Sequence, residues 1–81
     1  MMKISIKLFA IAREMTGKTG LQLELPEAAT VETALANLRE TYPKFAELNS
    51  FMVAINQEYA ERTDVLHDGD ELAIIPPVSG G

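Results

Sequence analysis

An α+β fold, one sheet of four to five strands with one main helix packed across one of its faces, is the architecture this sequence predicts. Two observations carry it. Short stretches that alternate apolar and polar residues, or run apolar for a few residues, lie on both sides of the chain's middle and read as strands. Only the segment from Thr30 to Tyr42 holds helical spacing over several turns. The 81 residues leave room for one domain with one modest core.

Ile4, Ile6 and Leu8 alternate with Ser5, Lys7 and Phe9, giving a first strand with one face for the core. Ala10 to Met15 has helix-forming composition and Thr16-Gly17 closes it, so a short helical turn is expected. Leu21, Leu23 and Leu25 alternate with Gln22 and Glu24 up to Pro26, a second strand that should pair with the first as a hairpin. Thr30 is a candidate N-cap, with Glu32 in the first turn to favour the helix dipole. Val31, Ala34, Leu35, Leu38 and Tyr42 then line one helical face, and Pro43 stops the helix. Lys44 to Ser50 reads as loop or irregular turn. Phe51 to Ile55 is a third strand, Asn56-Gln57-Glu58 a turn, and Tyr59-Ala60 a short edge strand. Leu66 to Asp70 is a turn signal in which Gly69 can take φ > 0. The apolar, β-branched run Leu72-Ala73-Ile74-Ile75 suits a buried last strand.

Composition narrows the chemistry. The chain has no cysteine, which removes disulfides, thiolate metal sites and thiol nucleophiles together. Its one histidine, His67, leaves no multi-histidine metal site and little prospect of a catalytic triad. A net charge of −5 argues against a nucleic-acid partner and suits a basic protein surface better. No apolar run approaches the roughly 20 residues of a membrane span. The start, Met1 to Lys7, alternates like a strand and unlike a signal peptide, so the expected place is the cytoplasm, off the membrane.

Two motifs fade on inspection. Ala12-Arg13-Glu14-Met15-Thr16-Gly17-Lys18-Thr19 nearly spells a phosphate-binding loop, but that loop works only where a helix follows. Here the sequel alternates as a strand. Asp68, Asp70 and Glu71 could be imagined as a cation site, yet they read better as a solvated turn. No metal site is assigned.

The sheet's other face and the chain's end say more. If Ile4, Ile6 and Leu8 face the helix, Phe9 faces away; if Leu72 and Ile74 are core, Ala73 and Ile75 face away. Met52, Ala54 and Tyr59 join them. One helix cannot cover both faces, so this apolar surface is expected to meet a protein partner. After Ile75, Pro76 and Pro77 stop the strand and stiffen its exit. Val78-Ser79-Gly80-Gly81 then offers nothing large, and ends on a free carboxylate able to thread a narrow channel. The expected division is a domain over residues 1–75 and a flexible tail over 76–81.

These residues resemble a known family. Asp68-Gly69-Asp70-Glu71 with Ile75-Pro76-Pro77-Val78-Ser79-Gly80-Gly81, Phe9-Ala10 with Arg13-Glu14 and Gly17, and Val53-Ala54-Ile55-Asn56-Gln57 are similar to the small, sulfur-carrying subunits of molybdopterin synthase. The likeness runs end to end, although the family often has an aromatic residue where Ile75 stands. It implies a ubiquitin-like β-grasp fold with a mixed sheet, whose first and last strands are parallel neighbours bringing Phe9 beside Ile75. It implies no resident cofactor and no catalysis by this chain alone. An E1-like activating enzyme, using ATP and Mg²⁺, would adenylate Gly81, and a sulfur donor enzyme would displace AMP to leave a thiocarboxylate. The large catalytic subunit, in a heterotetramer of two small and two large subunits, would then receive the sulfur for a cyclic pterin precursor. By this match Gly81 bears the sulfur, Gly80 gives clearance, and Ser79, Val78, Pro77 and Pro76 thread the tail. Phe9, Tyr59 and Ile75 are the interface candidates, and Arg13 a candidate contact for the activating enzyme. A carrier for thiamine thiazole or tRNA thiolation, or a ubiquitin-like modifier joined to lysines, would use the same tail.

Overall fold

The computed structural model describes residues 1–76 except Asn49 and the side chain of Ile11. Its elements in order are β1 (Met2–Leu8), α1 (Ala10–Thr16), β2 (Gly20–Leu25), α2 (Val31–Thr41), a 3₁₀ helix (Pro43–Glu47), β3 (Met52–Ile55), β4 (Glu58–Ala60) and β5 (Glu71–Ile75). The strands form one five-stranded sheet in the order β2-β1-β5-β3-β4. β1 runs parallel to β5 and antiparallel to β2, while β3 is antiparallel to both β5 and β4, so the sheet is mixed. The expected strands, main helix and edge position of β4 are all present.

The core lies between one sheet face and α2. Ile4, Ile6, Leu8, Val53, Leu72 and Ile74 from the sheet meet Val31, Ala34, Leu35 and Leu38 from the helix, and all are buried. Each large aliphatic chain taken fully out of water stabilises the fold by roughly 1.5–3 kcal/mol before entropy is counted. Buried residues of β1 alternate with exposed or half-buried ones, as the period-two reading requires.

Local signals explain the helix ends. Thr30 caps α2: its hydroxyl accepts the Thr33 N–H at 3.4 Å, and the Thr33 hydroxyl accepts the Thr30 N–H at the same distance. Two further N–H groups of the first turn, on Val31 and Glu32, donate to the carbonyls of Asp64 and Arg62 at 3.0 Å. The helix start is thereby tied to the segment before β5. In α1, the buried Thr16 hydroxyl donates to the Ala12 carbonyl at 3.0 Å, and Gly17 ends the helix with φ 73°.

Two local expectations need correction. The stretch from Lys44 to Ser50, read as irregular, contains most of the 3₁₀ helix, and its Phe45 is among the most deeply buried side chains. Pro43 ends α2 and also opens this next turn, where its missing N–H costs nothing. The turn at Asn56-Gln57-Glu58 is shorter than expected, because Glu58 already pairs with Ile55. Asn56 and Gln57 both have positive φ, 50° and 73°, which closes the hairpin in two residues.

Asn56 also fastens this hairpin to the entry of β5. Its Nδ2 donates to Asp70 Oδ1 at 2.9 Å, and its Oδ1 accepts the Glu71 N–H at 3.0 Å. Its own N–H donates to the Glu71 carbonyl at 2.8 Å. Replacing Asn56 by Ala removes two of these bonds and the residue best suited to positive φ, so Asn56→Ala should lose about 1–3 kcal/mol of stability in urea unfolding.

Candidate functional site

The face of the sheet away from α2 is assembled by register. Lys7 pairs with Ala73, Ala73 with Ala54, and Ala54 with Tyr59, so these four form one row across β1, β5, β3 and β4. Side chains two residues apart share a face, which adds Ser5 and Glu71 on one side of the row and Ile75 with Met52 on the other. The middle of the row is two alanines, and larger groups surround them. The result is a shallow hollow of about 350 Å³, bounded by Phe9, Tyr59, Ile75, Lys7, Gln57 and Glu71.

Three of the expected interface residues, Phe9, Tyr59 and Ile75, therefore stand around one concavity. Phe9 follows the last residue of β1 and is 38% exposed, Tyr59 is 73% exposed and Met52, beside Ile75, is 52% exposed. Ala54 is only 5% exposed yet stands apart from the core cluster, because its neighbours on this face shield it. Immediately after Phe9, Ala10 takes φ 50°, a left-handed conformation unfavourable by about 1–2 kcal/mol for a residue with a Cβ. Lys7 Nζ lies 3.9 Å from Glu71 Oε2, and both are solvated, so the pair contributes little to stability.

The other sequence candidates fall elsewhere. Arg13 is exposed on α1 and does not line the hollow. Pro76 is buried where β5 ends, and Pro77, Val78, Ser79, Gly80 and Gly81 lie outside the described residues. Asp68 accepts the Lys3 N–H at 2.8 Å and Asp70 accepts the His67 N–H at 2.8 Å, so both carboxylates organise the turn before β5. The loop that resembles a phosphate site leads into β2, with no helix start facing it. Lys7, Gln57 and Glu71 were not anticipated at the hollow. The signal for Lys7 was present, since it shares its parity with Phe9, but its partner across β5 is more than sixty residues away.

The sheet order, the parallel β1–β5 pair and the single long helix on one face make this a ubiquitin-like β-grasp protein. Small archaeal modifier protein 1 from Haloferax volcanii has the same fold, with TM-score 0.89 and 29% identity over 96% of this chain and 100% of that one. The ThiS family model matches residues 6–81, and the chain belongs to that family. It is 42% identical over 80 residues to the molybdopterin synthase sulfur carrier subunit of Arabidopsis thaliana, covering 98% of this chain and 83% of that protein. A solved complex of subunits 1 and 2 of the molybdopterin-converting factor from Helicobacter pylori contains a chain of the same fold. It has TM-score 0.72 and 22% identity, and covers 99% of this chain and all of that one. The resemblance seen in the sequence, to the sulfur-carrying small subunits, is thus borne out.

Exposed side chains on this outward face contribute little to folding. Tyr59→Ala, on an exposed edge-strand position, should change unfolding free energy by no more than about 0.5 kcal/mol. Leu72→Ala, two strands away and on the core face, should cost about 2–5 kcal/mol. Urea midpoints of the two variants check the contrast.

Proposed function

We propose that this chain is the sulfur carrier of molybdopterin synthase, with the carboxyl group of Gly81 as the site that is loaded. The observation that carries the reading is the position of the apolar hollow. It runs along β5 from Glu71 to Ile75, and Ile75 directly precedes the segment Pro76-Pro77-Val78-Ser79-Gly80-Gly81. A partner seated on Phe9, Tyr59 and Ile75 is therefore close to the root of that segment. The 42% identity to a sulfur carrier subunit and the subunit complex of the Helicobacter relative support the same assignment.

The chemistry follows from the group involved. A carboxylate resists nucleophiles because it is charged and oxide is a poor leaving group. An E1-like enzyme holding ATP and Mg²⁺ makes the acyl adenylate at Gly81, with AMP as the new leaving group. Sulfur supplied by a donor enzyme then takes the place of AMP, leaving a thiocarboxylate. The large catalytic subunit, two copies of which pair with two carriers, accepts the tail, and the sulfur passes to a cyclic pterin precursor. Gly80 and Gly81 lack side chains that would block a narrow channel, Ser79 and Val78 are small enough to follow, and the prolines have no N–H with which to continue a strand ladder. Arg13, exposed on α1, is available to the activating enzyme. The carrier body over residues 1–75 has only to dock, which fits a chain with no cysteine and one histidine. We place these reactions in the cytoplasm; among the described residues no helix is long and apolar enough to cross a membrane.

The test is mass spectrometry after incubation with the activating enzyme, ATP and a sulfur source. Exchange of oxygen for sulfur adds about 16 Da, nominally the same as methionine oxidation. The tryptic peptide that follows Arg62 contains Gly81 and none of the four methionines, so the shift must appear there. An unshifted peptide, with the activating enzyme active on a known carrier, overturns the proposal. Deletion of Gly81 should abolish sulfur transfer while leaving the unfolding midpoint and docking of the large subunit unchanged.

The likeness to small archaeal modifier protein 1 favours one second reading, a ubiquitin-like modifier. Isopeptide conjugates through Gly81 that survive denaturation would support it. A carrier serving thiazole or tRNA thiolation would load Gly81 identically but leave the pterin precursor unconverted.

A further inference from the structure

Side-chain sulfur in this chain is confined to four methionines, because there is no cysteine. Met2 is buried in the core and Met15 is half-buried on α1. Met1 is exposed at the first residue, away from the hollow's lining. Met52 alone combines exposure with a place on the outward face. It pairs with Ile75 across β3 and β5, and so extends the apolar surface at the point where the chain leaves the sheet. A thioether there is open to solvent in the free protein and apolar toward a partner.

We infer that Met52 is an oxidation site that controls docking, converted by a peroxide into a sulfoxide that weakens binding of the large subunit. This rests on the function proposed above. In the step itself a sulfur lone pair attacks one peroxide oxygen, an S–O bond forms and the O–O bond breaks. Sulfur gives up two electrons, hydrogen peroxide is reduced, and its second oxygen leaves as hydroxide, which takes the proton of the transferred OH and becomes water. The product places a strong hydrogen-bond acceptor beside Ile75. A partner that covers this face strips water from the new oxygen, and one such unsatisfied group weakens association by about tenfold. In the assembled complex Met52 is covered, so the reaction belongs to the free carrier.

The experiment uses the full chain, treated with dilute hydrogen peroxide and digested to locate sulfoxide. Docking to the purified large subunit of molybdopterin synthase is titrated by calorimetry before and after treatment. The expected result is preferential sulfoxide at Met52 over Met2 and Met15, about tenfold weaker docking, and recovery with a methionine sulfoxide reductase. Prior addition of the large subunit should protect Met52. Met52→Leu docks with whatever affinity its own side chain confers, and peroxide should leave that affinity unchanged. Circular dichroism of the treated chain separates lost docking from lost fold. Full conversion of Met52 with unaltered docking overturns the inference, as does a peroxide effect that persists in Met52→Leu. Failure of the untreated chain to dock overturns instead the function on which it rests.

Discussion

The parallel pairing of β1 with β5 is the constraint on which the rest of the molecule depends. Parallel strands cannot be joined by a tight turn, so the chain between them must cross over one face of the sheet. The intervening residues supply α2 and the 3₁₀ helix for that face, and they place β3 and β4 beyond β5. The same pairing sets the ends of the two strands side by side. With Leu8 opposite Ile74, the next residues, Phe9 and Ile75, meet at one end of the sheet. Core face and outward face are consequences of one register. A slip of β5 by one residue against β1 would turn Ala73 inward and Ile74 outward while β1 kept its faces.

The outward face gathers exposed apolar side chains around one hollow that reaches the last residue of β5. Its apolar groups are unevenly sized, two alanines within a ring that includes Phe9, Tyr59 and Ile75, and this makes a hollow where uniform side chains would make a plateau. Lys7 and Glu71 stand at the margin, where charges influence the rate and orientation of encounter more than affinity. Most of these positions are on strands held by ladders on both sides, so little backbone order has to be imposed when a partner arrives. The Asn56 bonds serve the same end. They hold the β3–β4 hairpin, which carries Tyr59, to the start of β5, which carries Ile75.

Much of this was legible in the sequence, for physical reasons that differ from place to place. Period-two alternation exposed β1 and β2, because each has one face in the core and one outside it. The Thr30 cap, the apolar stripe of α2 and the glycine at Gly17 are local signals and were read as such. The 3₁₀ helix was missed because a single buried phenylalanine has no period, and because Pro43 looks like a stop when only the preceding helix is considered. The two-residue turn was misjudged because Gln57 takes a positive φ that glycine would have advertised. The parallel register of β1 and β5 is invisible to any local pattern; it entered through the resemblance, and with it the meeting of Phe9 and Ile75. Lys7 and Glu71 at the hollow depended on that register and were missed for the same reason.

The composition is best understood as a division of labour. A chain this small buries enough apolar surface for marginal stability and has little to spare for a strained or desolvated catalytic centre. The described side chains agree: no buried polar atom among them lacks a hydrogen-bond partner, and the carboxylates near β5 are spent on organising a turn. Chemistry in such a protein has to be placed on an atom that the fold does not need. The proposed site, the Gly81 carboxyl, meets that requirement in sequence: it follows the last strand and belongs to neither the core cluster nor the lining of the hollow. In that proposal the folded body contributes selection, through the side chains around Ala54 and Ala73, of the surfaces to which that carboxyl is brought.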